Sequence, residues 1–199
     1  MCPDCCFVTG EWSMYSLFGA CSATCDGGQQ SRVRECQLPA SSSGVPTCVG
    51  DAVETRPCAE TTCRELKCIE AGYEFDAVTM VCIKVFNDVT LNFFGAQKAC
   101  DSEGGRLFVA DTDDKISFLE NLLIDGGFPD DLYLLGAFDS NGQNEFKWVD
   151  GSIADVPLGS APPLTGLDCV KFVKPNDSNT FFVSPCNRLC PYVCELVHV

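Results

Sequence analysis

Histidine is almost missing from this sequence. The single His198 stands one residue from the C-terminus. Serine and cysteine nucleophiles are usually activated by a histidine base held inside the fold, so its scarcity argues against that chemistry. A phosphate-binding glycine loop is also missing, because Gly27-Gly28 and Gly104-Gly105 have the character of turns. No spacing selects a pair of catalytic carboxylates. We therefore predict that the chain is not an enzyme.

Basic residues and long apolar runs are scarce as well. The chain has 13 Lys+Arg against 28 Asp+Glu, a net charge of −15. Nucleic acid, anionic lipid and heparin-like chains would on average be repelled by this charge, which we interpret as a solubility feature. No stretch of roughly 18 apolar residues occurs, so the sequence predicts no insertion into a membrane.

Cysteine, in contrast, is abundant, with 16 in 199 residues. This density and the even count are typical of a disulfide framework. Such bridges persist in oxidising compartments, which predicts a secreted protein or an extracellular ectodomain. Zinc is the alternative, since Cys2-Pro-Asp-Cys5 has ligand spacing. The other cysteine spacings do not repeat a zinc pattern, so disulfides are favoured and no cofactor is predicted.

The N-terminal tail, residues 1–11, contains Cys2, Cys5 and Cys6 without helical or strand periodicity. It could be the end of an upstream module. No basic start and no apolar run precede Cys2, so a secretory signal is not recognisable. Because a disulfide-rich product needs one, we expect Met1 to begin either a fragment or an incomplete gene model. The signal peptide would then be missing, alone or together with further modules.

Residues 12–63 combine six cysteines with regularly spaced rings and arginines. The residues are Trp12, Tyr15, Phe18, Cys21-Ser-Ala-Thr24-Cys25-Asp-Gly-Gly28, Arg32-Val-Arg34-Glu-Cys36, Cys48, Arg56-Pro-Cys58 and Cys63. This pattern resembles a thrombospondin type 1 repeat, a small three-stranded disulfide-rich module. A module of this size buries too little apolar area to fold without extra links.

The resemblance implies how this module is held together. Its arginines would lie between aromatic rings as cation–π layers, a scaffold role, and Thr24 would be an O-fucosylation site. The implied layers use Trp12, Tyr15 and Phe18 with Arg32, Arg34 and Arg56. The implied disulfides are Cys21–Cys58, Cys25–Cys63 and Cys36–Cys48. Residues 64–67 would then be a linker.

Residues 68–199 have a different organisation. Their characteristic stretches are Ala96-Gln-Lys-Ala-Cys100-Asp-Ser-Glu-Gly-Gly-Arg-Leu107, Phe146-Lys-Trp148-Val-Asp150-Gly151-Ser, and the run from Cys186 to Cys194-Glu. They resemble a long-form C-type lectin-like domain. The resemblance implies an α+β fold with two helices, mixed antiparallel sheets and a long loop. It also implies the disulfides Cys68–Cys82, Cys100–Cys194 and Cys169–Cys186, and leaves Cys190 with the three N-terminal cysteines.

Helical spacing and capping residues place two helices in this domain. Thr90 is predicted to cap a helix from Leu91 to about Glu103. Thr112 is the predicted cap of a second helix, in which leucines recur at helical spacing. Trp148 is predicted to be a core residue, because a buried indole contributes a large apolar area.

The long loop departs from the calcium-dependent members of the family. A calcium ion needs about six to eight oxygen ligands, and the carboxylates and amides that supply them in the family are replaced here. Ala161 and Leu164 flank Pro162-Pro163, and Leu167 stands two residues before Cys169. Calcium is therefore not expected. The carboxylates available for a different geometry are Asp155, Asp168 and Asp177.

Two kinds of ligand remain, both typical of an extracellular recognition or adhesion protein. The first is another protein, bound by the apolar loop residues Val156, Leu158, Pro162, Pro163 and Leu164; alternatively, these residues pack beneath the loop. The second is a carbohydrate bound without the usual calcium site, with Phe172, Phe181 and Phe182 as aromatic platform and Asn176 and Asn179 as polar partners. Asn176-Asp-Ser is also the single N-glycosylation sequon. We favour the protein ligand.

Overall fold

The computed structural model describes residues 7–40, 42–128, 132–139, 141–157, 167–173 and 181–197. The chain folds as two compact units, Met1–Leu66 and Lys67–Val199. The strands of the first unit are β1 (Phe7–Thr9), β2 (Glu11–Trp12), β3 (Gly28–Val33), β4 (Cys36–Gln37), β5 (Val45–Thr47) and β6 (Val53–Cys58). Residues 64–67, the expected linker, lie within helix α1 (Cys63–Glu70).

Strands β3 and β6 of the first unit form an antiparallel ribbon. A third segment, residues 13–22, runs alongside β3 without forming a regular ladder. This segment donates a backbone hydrogen bond once every three residues. Three of its serine hydroxyls, on Ser13, Ser16 and Ser22, accept an amide from the partner strand in return. The backbone bonds run from Ser13, Ser16, Gly19 and Ser22 to the carbonyls of Glu35, Val33, Ser31 and Gln29.

The period of three also stacks rings and guanidinium groups on one another. Tyr15 contacts two arginines, with the carbon of the Arg32 guanidinium 4.4 Å and that of Arg34 4.7 Å from its ring centre. Arg34 also lies 4.3 Å from the centre of Trp12 and donates a 2.9 Å hydrogen bond to the Asp51 carbonyl. The remaining layers pair Phe18 with Arg32 at 4.8 Å and with Arg56 at 3.9 Å.

Replacing Arg34 by Gln should destabilise the first unit by about 1–3 kcal/mol, since two cation–π contacts and one hydrogen bond are lost. Faster hydrogen exchange of the β3 and β6 amides in the full chain would show it. Gln29→Ala is the control, because the Gln29 side chain is exposed on β3. Equal exchange in the two variants would contradict a stabilising role for the layers.

The second unit is built on an eight-stranded sheet. Its main path has the order β13-β12-β10-β14-β8-β7, with β11 beside β10 and β9 beside β14. The β10–β14 pair is parallel and the others are antiparallel. The strands are β7 (Glu74–Asp76), β8 (Val81–Leu91), β9 (Gly105–Leu107), β10 (Leu132–Asp139), β11 (Phe146–Trp148), β12 (Asp168–Val173), β13 (Phe181–Pro185) and β14 (Cys190–Leu196).

Two further helices pack with separate core clusters of this unit. Helix α2 (Phe93–Ser102) contributes Phe93 and Cys100 to a cluster rich in cysteine, and α3 (Asp113–Asp125) contributes Leu119 and Leu123 to a cluster around Trp148. Trp148 is 1% exposed, as expected of a core residue. Together with α1, the described part of the chain has three helices, one more than the resemblance implied.

The disulfides of the structure are the pairs that the two resemblances imply. The first unit contains Cys21–Cys58, Cys25–Cys63 and Cys36–Cys48, and the second contains Cys68–Cys82, Cys100–Cys194 and Cys169–Cys186. Among the described cysteines, Cys190 alone is free, and it is buried.

The helix caps confirm one sequence prediction and correct another. Thr112 caps α3, accepting the Lys115 amide as predicted. Thr90 does not cap α2; Asn92 does, through a 2.9 Å bond from the Gly95 amide to its side-chain oxygen. Strand β8 continues to Leu91, which pairs with Cys190, so the helix begins two residues later than predicted.

This correction gives a matched pair of variants. Asn92→Ala should lower the free energy of unfolding of the second unit by about 1 kcal/mol, since an orphan helix amide loses its acceptor. Thr90→Ala should change it little, because Thr90 is exposed in β8. Denaturant unfolding of the full chain, followed by near-ultraviolet circular dichroism, compares them. A larger loss in the Thr90 variant would contradict the assignment of the cap.

Candidate ligand-binding site

A surface pocket of about 400 Å³ lies beside strand β11 in the second unit. The turn before β11 and the segment after the Trp148-Val-Asp-Gly-Ser152 stretch form its walls. Both walls belong to one hairpin, in which the Ala154 amide donates to the Phe146 carbonyl at 3.0 Å. The lining residues are Asn144, Glu145, Phe146, Lys147, Ile153, Ala154 and Asp155.

The first wall is shaped by the buried carboxylate of Asp139. Its oxygens accept the amides of Asn141, Gly142 and Asn144 at 2.7–3.0 Å. Burial acts to raise the pKa of Asp139, but these backbone hydrogen bonds together outweigh burial and lower it. Asp139 is therefore an ionised anchor, and it holds Asn144 in the left-handed region with φ of 61°.

The second wall is held by the Asp150-Gly-Ser152 turn and by the backbone of the buried Trp148. The Asp150 carboxylate accepts both the amide and the hydroxyl of Ser152, at 2.9 and 2.6 Å. The Trp148 amide donates to the Ser152 carbonyl at 2.9 Å. Arg106 fixes the turn from outside through an ion pair with Asp150. The hairpin that carries the pocket is thus internally hydrogen-bonded and anchored in the core.

Among the residues that line the pocket, Ile153 is the one exposed apolar side chain, beside charged and amide groups. Ile153 is 77% exposed, although its backbone pairs with that of Lys147. The side chains of Asn144, Glu145, Lys147 and Asp155 are exposed around it. An apolar centre with a polar rim is the usual anatomy of a protein-recognition surface, and the volume lies within the range of small-ligand sites.

Sequence reasoning missed the turn and the exposed isoleucine of this pocket. Asp155 was considered only as a calcium ligand, and Asn144, Glu145, Lys147 and Ile153 were not singled out. The available signal was Ile153 itself, an apolar residue directly after a Gly-Ser turn. Its exposure could not be read from sequence, because an apolar residue at such a position is as readily part of the core.

The predicted aromatic platform is wrong for two of its three members. Phe172 and Phe181 lie opposite each other on β12 and β13. Their rings meet edge to face, with centroids 5.6 Å apart, and are 0% and 1% exposed. They are core residues because both belong to the apolar cluster that contains Trp148. Phe182, one residue on, points to the other face and is 40% exposed.

The apolar loop prediction is corrected at Val156, which is partly buried and packs against the core cluster around Trp148. This is the alternative in which loop residues pack beneath the loop. The other predicted residues of this region lie outside the described part of the chain. They are Leu158, Pro162, Pro163, Leu164, Asn176 with its glycosylation sequon, Asp177 and Asn179.

The two described candidates for calcium ligands lie in different environments. Asp155 is exposed in the pocket. Asp168 is 3% exposed on β12, directly opposite Asp139 of β10. Burial and then the charge of Asp139 raise the pKa of the Asp168 carboxyl. Within the described residues, one group has metal-ligand spacing, Cys25, Asp26 and Cys63, but its two cysteines are joined as a disulfide.

Thr24, the predicted O-fucosylation residue, is exposed in the first unit, between Cys21 of one disulfide and Cys25 of another. A transferase could therefore reach its hydroxyl. The modification remains a prediction.

Comparison with known families explains this architecture. The family model of the lectin C-type domain matches residues 89–196, more than half of the chain. The chain belongs to the C-type lectin family. A thrombospondin type 1 domain matches residues 10–63 and precedes it, in the order that the sequence predicted. Both families are typical of extracellular proteins and are generally not enzymatic.

Curated relatives match about a third of the chain. Rat SCO-spondin is 37% identical over 67 residues, which cover 33% of this chain and 1% of that protein. Human semaphorin-5B is 41% identical over 63 residues, which cover 32% of this chain and 6% of that protein. The chain therefore corresponds to only a small part of the length of these relatives.

Solved structures share the fold at low sequence identity. CEL-IV is similar with a TM-score of 0.54 and 20% identity, covering 64% of this chain and 92% of its own. A calcium-independent type II antifreeze protein has a TM-score of 0.53 and 14% identity, covering 65% and 94%. SPL-1 in complex with GlcNAc has a TM-score of 0.52 and 18% identity, covering 62% and 91%. No helix in the described ranges is long and apolar enough to cross a membrane.

The facing carboxylates of Asp139 and Asp168 predict a pH dependence. The pKa of Asp168 is raised in the folded state, so ionising this carboxyl costs more free energy in the folded protein than in the unfolded chain. The free energy of unfolding therefore falls as pH rises from the ordinary carboxyl pKa of about 3.9 through the folded pKa. Asp168→Asn should be more stable than the wild type at pH 7, and the difference should shrink toward about pH 4.

Chemical unfolding of the full chain across this pH range makes the comparison. Asp155→Asn removes the same charge from an exposed position and should leave stability almost unchanged. A difference between the Asp168 variant and the wild type that grows on acidification would contradict the assigned sign.

Proposed function

We propose that this chain is an extracellular recognition protein whose lectin-like domain binds a segment of another protein at the β11 pocket without calcium. The observation that carries the proposal is Ile153, a large apolar side chain that is 77% exposed in a pocket whose other exposed lining residues are polar or charged. An apolar anchor of the ligand would remove it from water, and Glu145, Lys147 and Asp155 would orient the ligand through hydrogen bonds and charge.

The rigidity of the hairpin supports this proposal. Its turns are fixed by Asp139 and Asp150 through hydrogen bonds within the protein. A preformed surface loses less conformational entropy when a ligand binds, so more of the contact energy appears as affinity. The proposed ligand is not a nucleic acid, since the net charge of −15 opposes a polyanion.

Independence from calcium rests on the chemistry of the donors. Asp139 uses its oxygens for backbone amides, and Asp168 is buried on β12 at 3% exposure, away from solvent and from the pocket lining. A calcium site needs about six to eight oxygens, most of them carboxylate or carbonyl. The described residues of the loop region therefore leave Asp155 and Glu145 as exposed carboxylates at the pocket, too few for a site built from them alone.

Carbohydrate binding without calcium is the second candidate. It is favoured by Phe182, 40% exposed on β13, and by the amide and carboxylates of Asn144, Glu145 and Asp155 in the pocket. SPL-1, a structure with the same fold, is a complex with GlcNAc. A single exposed ring offers less stacking area than the three phenylalanines expected from sequence, so we place this candidate second.

Ile153→Asp should weaken binding of the protein ligand by about tenfold or more, because a charge would be buried at the apolar contact. The ligand is first captured on the immobilised chain from extracellular matrix or serum, and its affinity is then measured for each variant. Val78→Asp is the matched control, since Val78 is also 77% exposed and the change in charge is equal. Equal losses in both variants would contradict the location of the site.

A glycan array separates the two candidates. We expect no glycan to bind specifically, either in millimolar calcium or in chelator, while the captured protein binds in both. Glycan binding that is unchanged by chelator would replace our proposal with the second candidate. Binding of either ligand that is lost in chelator would refute calcium independence.

A further inference from the structure

Lys171 is an unusual residue for the core of a small domain. It lies in the middle of β12, between β10 and β13, and is 0% exposed. Within the described parts of the chain, none of the ion pairs includes it. A buried ammonium without a counter-charge is costly, and desolvation by burial lowers the pKa of this lysine. Burial thus shifts the equilibrium of this group toward the neutral amine, which is a nucleophile.

The amine of Lys171 points at the one free thiol among the described residues. Its Nζ lies 3.0 Å from the Sγ of Cys190, at the start of β14. Cys190 is 4% exposed, so contact with a large thiol or a second protein is restricted. The separation is too long for a direct nitrogen–sulfur bond, yet a single atom placed between the two would bridge them with little movement.

We propose that Lys171 and Cys190 become joined by an N–O–S bridge, a covalent crosslink in which one oxygen atom links Nζ to Sγ. This site is separate from the pocket, and its formation does not depend on which ligand the pocket binds. The bridge is uncharged, so it also removes the cost of burying an ammonium group.

The oxidant is dioxygen, which is available in the oxidising compartments where disulfide-rich proteins mature. The amine loses one hydrogen and the thiol loses its hydrogen as the N–O and O–S bonds form. One oxygen atom becomes the bridge, and the other leaves as water with the two hydrogens. Nitrogen and sulfur together supply the four electrons that reduce dioxygen. The thiol first adds dioxygen to give a peroxide at sulfur, S–O–O–H, an oxidation at cysteine sulfur. The amine nitrogen then attacks the oxygen bound to sulfur, the O–O bond breaks, and the hydroxide that leaves takes a proton from nitrogen to form water.

The bridge would link strands that the disulfides do not link directly. Cys169–Cys186 ties β12 to the segment after β13, and Cys100–Cys194 ties α2 to the end of β14. The proposed bridge ties the middle of β12 to the beginning of β14. It would be reversible, because excess dithiol returns the amine and the thiol and releases the oxygen as water.

Mass spectrometry of the oxidised full chain tests the proposal. The chain is denatured without reductant in N-ethylmaleimide and digested with pepsin at acidic pH, which suppresses disulfide exchange. The expected product is a crosslinked pair of peptides with Lys171 and Cys190, heavier than their sum by one oxygen and lighter by two hydrogens. It should disappear after dithiothreitol treatment.

Variants distinguish the bridge from the alternatives. Lys171→Met and Cys190→Ala should each abolish the crosslink, and Lys171→Met should gain one maleimide label, at Cys190. Lys98→Met, at an exposed position of α2, should retain the crosslink. The proposal is overturned by labelling of Cys190 in the wild type to the same extent as in Lys171→Met, by a disulfide at Cys190, or by a pair that lacks two hydrogens but has gained no oxygen.

Discussion

Strand β14 is the constraint on which the second unit depends. It hydrogen-bonds to β8, β9 and β10 and is buried along its whole length. The Cys100–Cys194 disulfide joins it to α2 across 94 residues of sequence. A loop of this length corresponds to roughly 4–5 kcal/mol in the chain-entropy model. The C-terminal strand therefore fixes residues from the beginning, the middle and the end of the domain. The pocket hairpin is joined to the same sheet, because β11 pairs with β10 and β10 pairs with β14.

The two units reach stability by different routes, and the sequences show why. The second unit buries two clusters of apolar side chains. The first has no buried apolar residue among those described, and its rings at Trp12, Tyr15 and Phe18 are only partly buried. Three kinds of contact replace a core there, as expected for a module of about 50 residues. They are the stacked rings and guanidinium groups, the serine hydroxyls that accept strand amides, and three disulfides.

Much of this could be predicted from sequence where side-chain type and spacing carry the information. The spacing of Trp12, Tyr15 and Phe18, with the six cysteines and the arginines, carried a family resemblance that implied the layers, and Thr112 preceded an apolar helical pattern. Thr90 misled because the end of β8 is set by its pairing with Cys190, a contact about a hundred residues away in sequence. A local cap signal contains nothing about that contact.

The site was harder to predict because it depends on which face of a strand is buried. Phe181 and Phe182 are adjacent and chemically identical, yet one is core and the other exposed, since successive side chains of a strand point to opposite faces. The sequence shows that side chains alternate between the two faces of a strand, but it does not show which of the two faces is buried. Ile153 is the reverse case, an apolar residue whose exposure follows from a turn that Asp150 and Ser152 hold.

The positions of the two tryptophans have a spectroscopic consequence. Trp12 is partly buried against the Arg34 guanidinium, and its indole donates to the Val49 carbonyl at 2.8 Å. Trp148 lies in the apolar core of the other unit. Each unit thus has one tryptophan, and the two differ in the polarity of their surroundings. The emission of the molecule is the sum of a longer-wavelength and a shorter-wavelength component, and each component reports the integrity of a different unit.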